Sequence, residues 1–413
     1  MEQLIERCAG LDVHRDTVVA TVRSPKVSGA GRQIETRTFS TTTEGLTGLG
    51  DWLVAERVDL VGMESTGVYW KPVFFTLEDR VPQVWLLNAE HLRNVPGRKT
   101  DVADSAWIAQ LVENGLVSPS FVPPAEIRQL RDLTRARRVL VEERTRVIQR
   151  LDKTLQDAGI KLTSVASSLL TKSGRVILEA LLAGVTDPAA LAELAKGRLR
   201  SKISALREAL AGEFRVAHHG VLVAQMLAHV DFLEESITEL DARIDAAVAQ
   251  FEPVLERVQT IPGVARKTAV SLLAEIGADM SAFPTAAHLA SWAGICPGNN
   301  TSGGKRRSGR TRHGSVWLKT ALTEAAQAAA RTKGTYLAAH HASIRGRRGT
   351  FKAIGATRHD LLIAYWHIVG DSVGYQELGA DWAMRRHSRE HQTRRLVRQL
   401  EALGLHVQLS DAA

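Results

Sequence analysis

Hydrophobic spacing along the chain changes character near residue 120. From Ala9 to Ser24 the apolar positions are short and β-branched: GLDV, a polar turn at His14-Arg15-Asp16, then TVVATVR. Runs of this kind around a polar turn predict a hairpin of two strands. IETRTFS predicts a third strand, and Thr43 opens a helix through Trp52. DLVGME (Asp59–Glu64) has the continuous apolar character of a buried strand, VYWKPVFFTLEDR has helical spacing, and PQVWLLN is strand-like again. A further helix begins at Thr100. Three strands followed by alternating helix and strand is the order of an α/β RNase H-like domain. SPSFVPPAE, with Pro119, Pro123 and Pro124, breaks that order and predicts a domain boundary.

Beyond it the pattern is helical. Arg128 to Leu155 reads as one long basic helix. Met226, Val230, Leu233, Ile237, Leu240, Ile244, Ala247, Phe251 and Val254 alternate spacings of four and three, the heptad seam of a coiled coil. That seam fits a homodimer or higher homo-oligomer, and an intramolecular helix hairpin would show the same spacing. Ala166–Gly220 reads as helical and surface-rich. Leu255–Gly277, LERVQTIPGVARKTAVSLLAEIG, predicts a short helix, a tight turn at Ile261-Pro262-Gly263-Val264 and a second helix: a helix-hairpin-helix.

Composition narrows the class. A chain of 413 residues that is 44% hydrophobic and 24% charged describes a globular protein of two or three domains. Lys and Arg number 53 against 45 Asp and Glu, a net charge of +8, which points to a polyanionic partner. No apolar run approaches the roughly 20 residues of a membrane span. The start, MEQLIERCAG, lacks the basic and apolar regions of a signal peptide. Cys8 and Cys296 form no CxxC pair and read as reduced cytoplasmic thiols. The histidine pairs His218-His219 and His340-His341 lack zinc-type spacing and read as surface or DNA-facing residues.

Four acids of the first domain stand at positions that this fold order brings together. Asp12 lies on the first strand, where a carboxylate needs a cation or a ligand. Glu64 ends a buried strand before Ser65-Thr66-Gly67. Asp101 and Asp104 lie three apart at a helix start, so they project from one face. For that pair alone, capping by Thr100 and two acids complementing the helix dipole is the favoured reading. All four together suit one or two Mg2+ ions, which take hard oxygen ligands and support phosphodiester chemistry.

In the second half, Gly263, Arg266 and Lys267 fit a turn whose backbone N–H groups hold a phosphate without reading sequence. CPGNNTSGGKRRSGRTRHG (Cys296–Gly314) then carries Lys305, Arg306, Arg307, Arg310 and Arg312 beside Thr301, Ser302 and Ser308. Such cations suit DNA backbone and charge stabilisation at a reacting phosphate. The glycines predict a loop that moves. Composition does not separate Ser302 from Ser308 as a nucleophile, and Ser315 reads as a helix N-cap.

These motifs carry a resemblance. GLDVH, ESTG, KTDVADSAWIAQL, IPGV…LLAEIG, LASWAGICPGNNTSGGKRRSGRT and RHDLLIAYWHI are similar to the insertion-sequence transposases of the IS110/IS1111 family, along nearly the whole chain. The resemblance implies a RuvC-like domain over residues 1–118 whose DEDD acids fall on Asp12, Glu64, Asp101 and Asp104. It also implies a helical coiled-coil region over 119–254, a transposase domain over 255–335 with its catalytic serine at Ser302, and a basic helical extension over 336–413. A covalent phosphoserine intermediate and guidance by a structured non-coding RNA, the bridge RNA, that pairs with donor and target DNA are implied with it. If RNA pairing reads sequence, the protein need supply only backbone grip, shape recognition and chemistry. Two alternatives stay open: a Mg2+-dependent junction nuclease that activates water, and a non-enzymatic architectural protein that binds nucleic acid.

Overall fold

The computed structural model describes residues 5–26, 31–65, 67–88, 104–297, 300–309, 311–382 and 389–409. The chain divides into two compact units, Met1–Val122 and Pro123–Ala413.

In the first unit, β1 (Cys8–Val13), β2 (Thr17–Pro25) and β3 (Arg32–Ser40) form an antiparallel meander. Helix α1 (Thr43–Ala55) follows, its N-terminus capped by Thr42, and returns the chain to β4 (Leu60–Ser65). Helix α2 (Trp70–Leu77) leads to β5 (Gln83–Leu87). β4 runs parallel to β1, and β5 parallel to β4. The last elements are α3 (Asp104–Glu113) and the two-residue β6 (Pro119–Ser120), giving the sheet order β3-β2-β1-β4-β5-β6. This mixed sheet agrees with the RNase H-like order expected from the sequence. β6 has no strand signal of its own: a proline is tolerated there because β6 is an edge strand.

Alternation splits β1 and β4 between two cores. Ala9, Leu11 and Val13, with Val61 and Met63, pack beneath α1 and α2. Cys8 and Leu60 point to the opposite face and pack with Ile108, Leu111 and Val112 of α3. Each fully buried aliphatic side chain of this kind contributes roughly 1.5–3 kcal/mol. The second face has little room. A Cβ on Gly10 would lie 2.2 Å from Ser105 O and 2.3 Å from Ala109 N, and one on Gly62 would lie 2.5 Å from a Val112 methyl. Glycine lets α3 lie directly on the sheet.

The second unit is mostly helical. Helix α4 (Ala125–Asp157) pairs with α8 (Val221–Val248). The pairs Arg137–Asp241 and Arg144–Glu234 run in opposite order along the two helices, so the hairpin is antiparallel. Val230 and Leu233 of the heptad seam are buried against Val147, with Met226 and Leu140 beside them. The seam therefore has a partner within its own chain. Between these helices lie α5 (Lys172–Leu182), α6 (Pro188–Glu193) and α7 (Ile203–Ala209). Ile177, Leu178, Leu191, Leu206 and Phe214 bury one core there with Leu155 and Leu227. This corrects the surface-rich reading of Ala166–Gly220: the short helices hide a periodicity too brief to read in sequence.

The remaining helices are α9 (Glu252–Gln259), α10 (Arg266–Ile276), α11 (Ala286–Trp292), α12 (Val316–Ala329), α13 (Tyr336–Arg348), α14 (Thr350–Gly370) and α15 (Arg389–Ala402). Strands β7 (Asn300–Ser302) and β8 (Lys305–Ser308) lie between α11 and α12. Tyr365 of α14 is fully buried, and its hydroxyl donates to Gly277 O at 2.8 Å. Helix α4 is keyed into this group by one buried acid. Arg135 donates to both Glu275 carboxylate oxygens at 2.7 and 2.8 Å, and Ser315 Oγ donates to Oε2 at 2.8 Å. Arg131 donates to the backbone oxygens of Ala274 and Glu275. A carboxylate can be buried here because its partners satisfy it.

Candidate functional site

The acids are assembled by strand register. Asp12 of β1 is the direct partner of Glu64 in the parallel pairing with β4, just as Gly10 is the partner of Gly62. Both acids follow their glycine by two residues, so they share the face on which α3 lies. Helix α3 runs antiparallel to β1. Glu113 O, at its end, accepts from Ile5 N, Ala109 O accepts from Cys8 Sγ at 3.4 Å, and Ser105 O lies over Gly10. The first residue of α3, Asp104, is thereby carried past Gly10 toward the Asp12 end of the strand. Asp101 and the expected cap Thr100 lie outside the described residues.

Two contacts hold α3 in this register. Thr21 and Ser105 hydroxyls hydrogen-bond at 2.8 Å, and Thr21 also meets Thr36 at 2.8 Å, so β3, β2 and α3 are joined in one chain of hydroxyls. At the other end Glu113, only 6% exposed, pairs with Arg23 at 2.6 Å and Arg32 at 2.5 Å. The Cys8 thiol beside it is pushed up to about 12 by burial and then by Glu113, so it is inert as a nucleophile. None of these pairings has a local signal in the sequence. His14 is different: its Nε2 lies 3.0 Å from Asp12 Oδ2. His14 stands one residue past the end of β1, so this contact is local in the sequence. Hard carboxylate oxygens from two adjacent strands and a helix start fit a divalent ion.

The basic segment is a β-hairpin, where its glycines predict a mobile loop. Ser302 pairs with Lys305 across β7 and β8, and Thr301 pairs with Arg306. Gly303 and Gly304 between them have φ of +57° and +74°. Positive φ at both central residues is what a two-residue type I′ turn requires, so these glycines serve the turn. Arg307 falls at the irregularity in the ladder, Ser308 opposite Asn300, and Arg310 lies outside the described residues. The foot of the hairpin is tight. A bridge joins Pro297 to Thr311, and a Cβ on Gly294 would lie 2.6 Å from His313 O and 2.8 Å from Arg312 O. Ser315 caps α12 as expected, accepting from Leu318 N at 3.2 Å.

Helices α9 and α10 flank the tight turn expected at Ile261–Val264. Gly263 has φ +85°, and a Cβ there would lie 2.4 Å from Ala329 N, so the turn sits against the backbone of α12. Arg266 is not an uncommitted cation: it donates to Glu252 at 2.6 Å and lies 3.5 Å from Asp245. Lys267 faces Asp241 electrostatically. The turn is less positive than a count of its lysine and arginine suggests.

One histidine of each pair departs from the surface reading, while His218 is exposed. His219 is buried, its Nδ1 accepting from Arg215 N at 3.1 Å, and His341 is buried with its Nδ1 3.1 Å from Thr357 Oγ1. His340 Nδ1 lies 2.7 Å from Asp360 Oδ2, which raises the histidine pKa. Asp157, His218 and His219 place three donor atoms within 4.8 Å of one another. With Nδ1 accepting a backbone N–H, neutral His219 carries its proton on Nε2, the atom that faces Asp157, which opposes metal binding there.

Two family models match the chain. A transposase model of the DEDD IS110 type covers residues 9–160, and that of the IS116/IS110/IS902 transposase family covers 255–342, together more than half of the chain. The chain belongs to the IS110 family of insertion-sequence transposases. The first match contains Asp12, Glu64, Asp101 and Asp104 and runs on through α4; the second contains the α9–α10 turn, the β7–β8 hairpin and α12. A probable family 20 transposase of Pseudomonas aeruginosa is 26% identical over 278 residues, 66% of this chain and 71% of that protein. The transposase for insertion sequence element IS1111A of Coxiella burnetii is also 26% identical over 278 residues, 66% of each chain. An insertion element IS110 protein of Streptomyces coelicolor is 36% identical over 83 residues, 20% of each chain. Transposition acts on DNA, and no described helix is long and apolar enough to cross a membrane.

Proposed function

We propose that this transposase cuts and exchanges the DNA strands of an insertion sequence through a covalent phosphoserine intermediate at Ser302, supported by Mg2+ at Asp12, Glu64, Asp101 and Asp104. The observation that carries the metal half is the Asp12–Glu64 register pair, with α3 laid against the same face. Bound there, Mg2+ would neutralise charge at the phosphate and favour an attacking oxygen. Asp12 and Glu64 supply ligand oxygens from a rigid sheet, and His14 orients the Asp12 carboxylate.

In the proposed step, Ser302 Oγ forms a bond to phosphorus while a phosphodiester P–O bond breaks, and the serine proton ends on the departing DNA oxygen. The reverse step, with a hydroxyl from a second DNA end, reseals the strand and returns the serine. The phosphate ester conserves the energy of the broken bond, so no nucleotide hydrolysis is needed. Ser302 is favoured over Ser308 by family resemblance and by its position at the hairpin tip beside Lys305. Guidance by a structured non-coding RNA, a cytoplasmic site of action and assembly as a homodimer or higher oligomer belong to the same proposal.

The test is to quench the reaction with denaturant, digest, and locate the phosphorylated peptide by mass spectrometry. Ser302→Ala removes cleavage and adduct, Ser308→Ala retains the adduct, and Asp12→Ala abolishes cleavage while DNA binding persists. A phosphate on Ser308, or an adduct surviving in Ser302→Ala, overturns the serine assignment; unchanged cleavage by Asp12→Ala overturns the metal site.

A further inference from the structure

At the foot of the β7–β8 hairpin two cations stand together without an acid. Lys319 lies in the first turn of α12, and its Nζ donates to Arg312 O at 2.8 Å. Arg358 of α14 donates Nη1 to Thr323 Oγ1 at 3.3 Å, and its Nε is buried with no hydrogen-bond acceptor among the described residues. Thr323 follows Lys319 by one helical turn and donates to its carbonyl, so the guanidinium is anchored one turn along α12 from the lysine. No described carboxylate pairs with either.

Three unfavourable effects coincide here. A lysine in the first turn of a helix opposes the macrodipole, which favours anions there. Burial strips water from both cations, and it lowers the pKa of each, with Arg358 lowering that of Lys319 further. Burying an uncompensated charge is costly, and the neighbouring acids are committed elsewhere: Glu324 to Arg138, and Asp360 to His340. One phosphate group would relieve all three.

We infer that Lys319 and Arg358 form a phosphate subsite that holds a DNA backbone phosphodiester beside the hairpin carrying Ser302. Arg358 supplies a planar guanidinium whose charge no described carboxylate balances, and Lys319 supplies a point charge tied to the hairpin through the Arg312 carbonyl. Thr323 holds the guanidinium in place. The inference rests on the Ser302 reading for its role in the reaction, whereas phosphate binding itself does not depend on that reading. The subsite contacts substrate backbone and reads no sequence.

The experiment uses the full chain, with Lys319→Met, Arg358→Met and the double variant, and Lys352→Met on exposed α14 surface as a control for removal of charge. Melting is measured in inorganic phosphate against chloride at matched ionic strength. Binding to a duplex DNA and to an RNA hairpin is followed by anisotropy over a sodium chloride series. Phosphate should raise the wild-type midpoint and leave the double variant unmoved, and the double variant without phosphate should melt no lower than wild type. Duplex affinity should fall about tenfold or more, as removal of charge-assisted hydrogen bonds implies. The slope of log K against log salt should shrink by roughly 0.9, the change expected when one DNA phosphate is no longer neutralised.

An undiminished phosphate response in the double variant, or a slope that changes no more than in Lys352→Met, overturns the subsite. A slope change confined to RNA overturns the DNA assignment. If an adduct survives Ser302→Ala while the phosphate response disappears in the double variant, the Ser302 reading fails and the subsite stands.

Discussion

Replacing Gly10 with alanine tests the placement of α3 through a single methyl group. The added Cβ would lie 2.2 Å from Ser105 O and 2.3 Å from Ala109 N, and both are backbone atoms, so no side-chain rotation relieves the clash. To regain the ordinary contact of 3.4 Å the helix must retreat by about 1 Å. Overpacking of this kind costs typically 1–3 kcal/mol, and a backbone obstruction belongs at the upper end. For a unit of this size, about 3 kcal/mol lowers the melting midpoint by roughly 10 °C. The same retreat strains the Thr21–Ser105 hydrogen bond and draws Asp104 from the Asp12–Glu64 pair. A displacement of about 1 Å at a reacting site can reduce the rate about a hundredfold. The assay pairs differential scanning fluorimetry with strand cleavage over a Mg2+ titration. Gly48→Ala serves as the control, because nothing lies within 4 Å of its Cβ in α1, and alanine there should stabilise by roughly 0.5–1 kcal/mol. Wild-type melting and cleavage in Gly10→Ala would refute the packing of α3 on β1, and with it the argument that brings Asp104 to the other acids.

Two further outcomes follow from the second unit. Leu233 is buried against Val147 of the same chain, so Leu233→Ala should cost about 2–5 kcal/mol by cavity formation. Melting should report that cost with the sedimentation coefficient unchanged; a change of oligomeric state at constant melting would show that the seam serves another copy. His340, its pKa raised by the hydrogen bond to Asp360, binds its proton more tightly folded than unfolded. The stabilisation from that pair is complete below the unfolded pKa near 6.5 and is lost as pH rises through the higher folded value. Unfolding followed from pH 5.5 to 8.5 should therefore show a decline in wild type that His340→Gln lacks, and identical pH profiles would refute the pairing.

What could be read in the sequence was what short-range periodicity encodes. β1 to β5 follow from short β-branched and continuous apolar runs, and Asp12 and Glu64 stand out because a carboxylate on a mostly apolar strand has no packing role. Their adjacency needs the parallel register, which no local pattern specifies. The heptads of α8 are legible but not their partner, since a seam reads alike whether its mate is another chain or α4; cross-helix pairs such as Arg144–Glu234 decide it. The β7–β8 hairpin is hidden by its own composition. Lys305, Arg306 and Arg307 read as nucleic-acid surface and the glycines as slack, although two glycines between NTS and KRR are also a turn signal. Lys319 and Arg358 are less visible still. In VWLKTALTEAAQAAAR a lone lysine looks like a solvated helix face, and only the approach of α14 turns it into one of two half-buried cations with no acid beside them. Non-local charge is the class of information that a linear reading loses, because its meaning depends on which opposite charges the fold has already committed elsewhere. Here the fold commits Glu275 to Arg135 and Ser315, Glu324 to Arg138 and Asp360 to His340. What is left uncompensated near the hairpin is positive, as a surface that must approach a phosphodiester requires.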